Sequence, residues 1–159
     1  MRKIFGLLLL LLFTFSACEE EEASVPLDGY YLAFGHFYGF CEGEKCVEIF
    51  KLQGDRLFED LNDNYPSSQH PYDGNFVPRS DADYQKVKDL YASFPQQLLE
   101  EPSGVIGSPD ATDGGGIYLE ISVNGKKKFF LIDKLRQRVP EYLHPYLFKV
   151  ENAVAQISN

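Results

Sequence analysis

The feature that most limits the fold is an Asn-Gly pair, Asn124-Gly125, between two apolar stretches. Asn-Gly is the strongest short signal for a two-residue type I′ turn, in which both residues have positive φ. Before the turn every second residue is apolar: Ile117, Leu119, Ile121 and Val123. This alternation is typical of a strand with one buried face. The sequence therefore predicts an antiparallel hairpin in which Leu119 lies opposite Phe130 and Ile117 opposite Ile132.

Three more strands are predicted near the start of the domain. Residues 30–40 and 46–52 read as strands, and the turn Gln53-Gly54-Asp55 leads into a third strand over 56–60. Strands joined by short connections pair antiparallel, so we expect a three-stranded meander. Residues 62–79 are polar and rich in Pro, Ser and Asp, which predicts an irregular surface segment.

Two amphipathic helices are predicted. Ser80 is a candidate N-cap, apolar residues follow it at helical spacing up to Pro95, and residues 96–101 add one more turn. Residues 140–157 carry a single apolar stripe, and Pro145 in their first turn predicts a kink or a restart. The stripe consists of Leu143, Leu147, Val150, Val154 and Ile157.

The order of elements is therefore β-β-β-α-β-β-α, with a loop over 102–116 after the first helix. Because successive strands pair antiparallel and two amphipathic helices can cover one face of such a sheet, the predicted fold class is α+β. We expect an antiparallel sheet of about five strands with both helices on one face.

The first residues predict a secretory signal peptide. Two basic residues precede an apolar run over 5–15. That run is shorter than the roughly 20 residues that a membrane-spanning helix needs, and its flanks suit a signal peptide. The string Phe15-Ser16-Ala17-Cys18 resembles a bacterial lipobox, whose cysteine is diacylated and becomes the mature N-terminus. The alternatives are a secreted protein that is cut after Ala17 and keeps a free Cys18, and an uncleaved membrane helix.

The lipobox resemblance implies three parts. Residues 1–17 are a lipoprotein signal peptide, residues 18–27 an acidic tether with lipid (palmitate) on Cys18, and residues 28–159 a single domain. The protein is then held on the membrane of the bacterial cell envelope, in the outer membrane. Glu19–Glu22 resemble the surface-export signal of lipoproteins in one group of Gram-negative bacteria, which implies surface exposure. The alternative is a charge run that keeps the tether extended.

Charge excludes one class of partner. The chain carries a net charge of −9, and loss of the signal peptide would remove two basic residues. Nucleic-acid phosphates require Lys and Arg, so no nucleic-acid partner is expected. The one basic run, Lys126-Lys127-Lys128, follows the hairpin turn and is interpreted as a solvated tip.

With Cys18 lipidated, Cys41 and Cys46 remain as a pair. In an oxidising compartment, two thiols at facing strand ends are expected to form a disulfide, worth about 2 kcal/mol for so short a loop. A redox-active pair and a metal site with His36 are the alternatives. The chain has neither the Cys-x-x-Cys spacing of a reactive thiol nor a recognisable zinc spacing.

No sequence motif indicates catalysis. There is no nucleophile elbow, and residues 110–116 lack the ligand spacing of a calcium loop. Gly114–Gly116 precede a strand and not a helix, so they do not form a phosphate cradle. We therefore assign no catalytic, metal-binding or cofactor-binding residue, and we expect no cofactor.

One further resemblance concerns the domain. The stretch Gly39-Phe40-Cys41-Glu42-Gly43-Glu44-Lys45-Cys46, followed by 47–52, resembles a group of bacterial secreted and lipoprotein domains of unknown function. Those domains carry a Cys-Phe-Gly-Thr-Cys-Pro element between two strands. Here one extra residue separates the cysteines, and no Pro follows Cys46. The resemblance implies a paired cysteine and a strand-rich α+β fold, and it implies no activity.

Aromatic residues favour a binding role. The chain has 10 Tyr and 13 Phe, and exposed tyrosines give a large contact area with a polar tip. We expect a membrane-anchored, non-enzymatic binding domain whose partner is an envelope protein or glycan. The alternatives are a small structural or inhibitory module and an envelope hydrolase, which would need a polar cleft around His36 or Asp113.

Overall fold

The computed structural model describes residues 29–158. The predicted signal peptide over 1–17, the lipid site Cys18 and the tether over 18–27 lie outside the described residues. The domain is built on a sheet of seven strands. In chain order these are β1 (Tyr31–Phe37), β2 (Val47–Gln53), β3 (Arg56–Asp60), β4 (Phe76–Pro78), β5 (Gly104–Ile106), β6 (Gly116–Val123) and β7 (Lys126–Asp133).

The sheet order is β4-β3-β2-β1-β6-β7-β5. All neighbouring strands are antiparallel except β5, which runs parallel to β7. Both residues of the hairpin turn have positive φ, 52° at Asn124 and 74° at Gly125, as a type I′ turn requires. Leu119 lies opposite Phe130 and Ile117 opposite Ile132, so the predicted register is confirmed.

The helices are α1 (Asp81–Val87), α2 (Asp89–Ala92), α3 (Gln96–Glu100) and α4 (His144–Ile157). The Ser80 side chain caps α1 by accepting a hydrogen bond from the Asp83 N–H at 3.1 Å. Pro145 lies in the first turn of α4, where its missing N–H costs no helical hydrogen bond. A 3₁₀ turn, Glu141–Leu143, precedes α4, so the restart at Pro145 is confirmed. Among residues 29–158, no helix has the length and apolarity to cross a membrane.

The predicted α+β class is confirmed, but the sheet is larger than predicted and mixed. The expectation of about five antiparallel strands missed β4 and β5, which lie inside the segments interpreted as loops. Each has three residues, too few to show an alternating pattern. β4 ends at Pro78 on the sheet edge, where a residue without an N–H is tolerated. The first predicted helix is likewise divided, because α1 and α2 are interrupted at Lys88.

The two faces of the sheet are covered differently. The helix face packs under α1–α4 and forms a large apolar core that includes Phe34, Phe50, Leu119, Phe130 and Val150. The loop face carries a smaller apolar cluster that includes Ala33, Phe37, Ile49, Tyr118 and Leu131. Part of the loop face is covered by the covering segment, which we define as residues 61–75. Its Tyr65 ring contacts Phe37 edge-on, with centroids 5.1 Å apart.

The start of β1 and the disulfide lie at opposite ends of the sheet. The Gly29 carbonyl accepts hydrogen bonds from the Gly125 N–H at 3.2 Å and from the Ser122 hydroxyl at 3.0 Å. The start of β1 is therefore held against the hairpin turn between β6 and β7. The connection from β1 to β2, which contains Cys41 and Cys46, lies at the opposite end of the sheet.

Candidate functional site

Cys41 and Cys46 form the predicted disulfide, with their Cα atoms 5.6 Å apart. The bond closes the connection between β1 and β2, and the Tyr38 N–H donates to the Cys46 carbonyl at 2.8 Å. Because both sulfurs are in the bond, neither is a thiolate ligand for a metal with His36. The His36 Nε2 lies 3.1 Å from the Lys45 carbonyl oxygen instead.

A buried carboxylate organises the loop face. Glu120 is 2% exposed, although it lies on a strand whose opposite face is apolar. Its two oxygens accept hydrogen bonds from the Tyr31 hydroxyl, the Tyr118 hydroxyl and the Tyr72 N–H, the last at 2.9 Å. A buried charge needs such partners, and charge-assisted hydrogen bonds are the strong ones. Glu120 is therefore committed to protein donors.

A second buried carboxylate, Asp60, accepts hydrogen bonds from the covering segment. Asp60 is 2% exposed and accepts hydrogen bonds from the Tyr72 hydroxyl at 2.6 Å and from the Asp63 N–H at 3.0 Å. It also accepts from the Asn75 N–H. Tyr72 thus reaches Glu120 through its backbone and Asp60 through its phenol. These bonds hold the covering segment against the sheet.

The phenols of this network stay protonated. Burial, with the hydrogen bond and charge of Glu120, raises the pKa of Tyr31 far above its ordinary value. Burial raises the pKa of Tyr118 in the same way, and the charge of Glu120 adds to the effect. For Tyr72 the cause is burial followed by the hydrogen bond to Asp60. Each phenol is therefore a fixed donor at neutral pH.

An open pocket of about 180 Å³ lies beside this network on the loop face. We call it the lysine–tyrosine pocket. Ala33 on β1 lies opposite Lys51 on β2 and opposite Glu120 on β6. The small side chain of Ala33 therefore separates the long side chains of Lys51 and Glu120. The space above Ala33 is the pocket. Its lining residues are Tyr31, Ala33, Lys51, Tyr72, Asp73, Gly74, Phe76, Glu120 and Lys127.

The two lysines of the pocket lie over aromatic rings. The Lys51 Nζ is 4.1 Å from the centroid of the Phe76 ring and 5.8 Å from that of Tyr31. The Lys127 Nζ is 5.5 Å from the Tyr31 centroid. Within the part of the chain that the structure describes, neither ammonium lies within 4.0 Å of a carboxylate oxygen. Both are therefore available to an anion.

Lys51 is also partly withdrawn from water. Burial lowers its pKa, the charge of Lys127 lowers it further, and the charge of Glu120 opposes both effects. The Phe76 and Tyr31 rings replace water around the ammonium group with cation–π contacts. An anionic group in the pocket would add a favourable charge interaction.

A second pocket, of about 270 Å³, lies on the helix face beside His36, Tyr38, Lys134 and α4. Burial lowers the pKa of His36, while its bond to the Lys45 carbonyl raises it and the charge of Lys134 lowers it. The Lys134 Nζ donates to the Tyr38 hydroxyl. His36 is hydrogen-bonded to a backbone carbonyl here, and this arrangement does not activate a nucleophile.

The loop over 110–116, where the hydrolase alternative would need a cleft, is a structural junction. The Asp110 carboxylate accepts hydrogen bonds from the Gly39 N–H at 2.8 Å, the Gly115 N–H at 3.0 Å and the Tyr65 hydroxyl at 3.1 Å. Asp113 is exposed. Across residues 29–158, no group of three or more His, Cys, Asp or Glu side chains is arranged to hold a metal ion.

Comparisons of this chain with protein-family models, with curated proteins and with solved structures found no match. The resemblance to secreted and lipoprotein domains, and the lipobox resemblance, therefore stay predictions.

The sequence did not indicate the lysine–tyrosine pocket. Glu120 occupies the polar position of an alternating strand, a pattern typical of a solvent-facing residue. Its burial depends on a covering segment more than 45 residues away in sequence, which sequence reasoning treated as an irregular excursion. Lys127 belongs to the basic run interpreted as a solvated tip. The one signal that could have linked Lys127 to the pocket is its predicted place on the same face of the sheet as Tyr31.

Proposed function

We propose that this protein is a lipid-anchored domain of the bacterial envelope that binds a ligand without transforming it. We further propose that the lysine–tyrosine pocket is the ligand site. The observation that carries the proposal is the pair of ammonium groups, Lys51 and Lys127, which line an open pocket and, among the described residues, have no carboxylate oxygen within 4.0 Å. Convergent polar groups in a concavity with aromatic walls are typical of ligand sites.

The state of Glu120 supports binding over catalysis. A general base must have a lone pair within reach of the proton that it removes. Glu120 already accepts three hydrogen bonds from protein groups, and the phenols around it are held protonated. The pocket therefore offers charge, ring faces and hydrogen-bond donors, which suit the recognition of a ligand.

The binding proposal can be tested by NMR on the lipid-free mature chain carrying Cys18→Ser. Envelope oligosaccharides and soluble cell-wall fragments would be added to the isotope-labelled protein. We expect shifts of amide signals on β1, β2 and β7 around the pocket. Lys126→Gln, on the same strand as Lys127 but outside the pocket lining, is the control and should leave these shifts unchanged. Shifts that occur only elsewhere in the domain would contradict the assignment of the site.

The anchor is tested separately, in cells. Labelled palmitate should enter the wild-type protein and should not enter Cys18→Ser, which should leave the membrane fraction. Protease treatment of intact cells should degrade the wild-type protein if Glu19–Glu22 direct it to the surface, and replacement of these four residues by Gln should protect it. A wild-type protein that takes up no label would refute the lipid anchor and leave the binding proposal intact.

A further inference from the structure

We propose that the lysine–tyrosine pocket binds a ligand of the size of one sugar that carries a single oxyanion, a carboxylate or a phosphate, held between the Nζ atoms of Lys51 and Lys127. This inference rests on the proposed function and names the ligand class for the same pocket. Three features of the pocket lead to it: the placement of the two cations, the acceptors around them, and the size of the space.

The two cations converge although they come from separate strands. β1 and β6 lie between β2 and β7, and both lysines reach over the ring of Tyr31 on β1. Like charges repel, and the charge of Lys127 lowers the pKa of Lys51. An oxyanion between the two ammonium groups would turn this repulsion into two charge-assisted contacts.

The acceptors limit the ligand to one anionic group. Glu120 lines the pocket with its oxygens already accepting three hydrogen bonds, and Asp73 adds an exposed carboxylate to the lining. With two cations and two acidic side chains around it, the site does not favour a ligand with several anionic groups. Asp73 is better matched by hydroxyl groups, which donate to a carboxylate. A polyhydroxylated ring with one acidic substituent satisfies both kinds of group.

The volume of the pocket limits the size of the part of the ligand that lies inside it. A pocket of about 180 Å³ corresponds to roughly six water molecules at about 30 Å³ each. That space accepts one ring with its substituents, and because the pocket is open, a larger ligand would extend beyond it. A longer polymer would therefore place one acidic residue in the pocket and leave its neighbours on the open part of the loop face.

The experiment compares four ligands of one size with the lipid-free mature chain carrying Cys18→Ser, by NMR titration at low salt. Glucuronate carries a carboxylate, glucose 6-phosphate carries a phosphate, glucose is neutral, and glucosamine is cationic. We expect at least one of the two anions to shift the amide signals of Lys51 and Lys127, with a Kd at least tenfold lower than that of glucose. Whichever anion binds more tightly identifies the carboxylate or the phosphate as the source of the oxyanion.

Lys51→Gln and Lys127→Gln should each raise the Kd of the anion about fivefold, as expected when one ion pair is lost. Lys126→Gln should leave it unchanged. Lys127 is exposed, so its variant keeps the test valid even if Lys51→Gln unfolds. The inference is overturned if glucose binds as tightly as both anions, or if Lys126→Gln weakens anion binding as much as Lys127→Gln. Binding of a neutral cell-wall fragment at the pocket would then still support the proposed function.

Discussion

The two faces of the sheet are held to their coverings by different forces. On the helix face, the helices pack through apolar side chains such as Phe34, Leu119 and Val150, all essentially inaccessible to solvent. On the loop face, the covering segment is held by hydrogen bonds from Tyr72 to two buried carboxylates, Glu120 and Asp60. The first arrangement depends on excluding water. The second combines ring packing, such as that of Tyr65 on Phe37, with hydrogen bonds that depend on geometry and protonation, so the faces should respond differently to mutation and to pH.

The largest expected effect is the loss of a ring from the helix face. Phe34 is fully buried and packs against Phe50, with ring centroids 5.9 Å apart. Phe34→Ala should lower the free energy of unfolding by about 3–5 kcal/mol because it leaves a cavity in a packed core. The matched change on the loop face is Phe76→Ala, where the ring is only partly buried, and it should cost less than half as much. Urea denaturation of both variants measures the difference; equal losses would refute the comparison.

The next effect is an alkaline sensitivity concentrated on the loop face. The folded-state pKa values of Tyr31, Tyr72 and Tyr118 are raised above the ordinary value near 10. The stability that they contribute is complete below about pH 10 and is lost as the pH rises further, because the unfolded chain then releases protons that the folded chain retains.

This sensitivity can be located by chymotrypsin cleavage between pH 8 and 11. Cleavage should appear first after Tyr72 in the covering segment, before any cleavage within α4, because the bond after Tyr65 precedes Pro66 and is resistant. The helix face also holds a buried tyrosine, Tyr146, whose pKa is raised by burial. Cleavage that begins in α4 would therefore show that the helix face, and not the loop face, limits alkaline stability.

A smaller effect separates the two kinds of hydrogen bond. The Tyr72 hydroxyl donates to the Asp60 carboxylate at 2.6 Å, whereas the Tyr146 hydroxyl donates to the neutral Leu90 carbonyl at 3.2 Å. Tyr72→Phe should cost about 1.5–3 kcal/mol and Tyr146→Phe about 1 kcal/mol, because bonds to charged groups contribute more. Thermal unfolding of the two variants at pH 7 gives the values. The reverse order would mean that Tyr72 contributes through packing alone.

The smallest effect is an acid sensitivity that belongs to the helix face. The pKa of His36 is lowered, mainly by burial, so the folded chain resists protonation where the unfolded chain accepts it. Stability from this residue is present above about pH 6.5 and is lost as the pH falls from there towards the folded-state pKa. His36→Gln should flatten the pH dependence of the melting temperature between pH 5 and 7. An unchanged slope would assign the acid sensitivity to other groups.

Local signals made much of the fold predictable. The hairpin register, the Ser80 cap, the restart at Pro145 and the Cys41–Cys46 pair each depend on a few neighbouring residues. β4 and β5 could not be predicted, because three-residue strands acquire their structure from the neighbouring strand to which they pair. The buried network of the loop face could not be predicted for a related reason. Glu120 is buried by Tyr72, and nothing in the sequence around either residue indicates the other.

The hydrogen bonds at Gly29 determine how the domain would carry mechanical load. β1 is a central strand, paired along its length with β2 on one side and with β6 on the other. In the proposed anchored protein, a pull on the tether would enter the domain through the start of β1, and the component of the force along β1 would act on both ladders. Both ladders would then be loaded in shear, with many hydrogen bonds sharing the force, and would not open one bond at a time. A ligand held on the loop face could thus be retained while the membrane and its partner structure move apart.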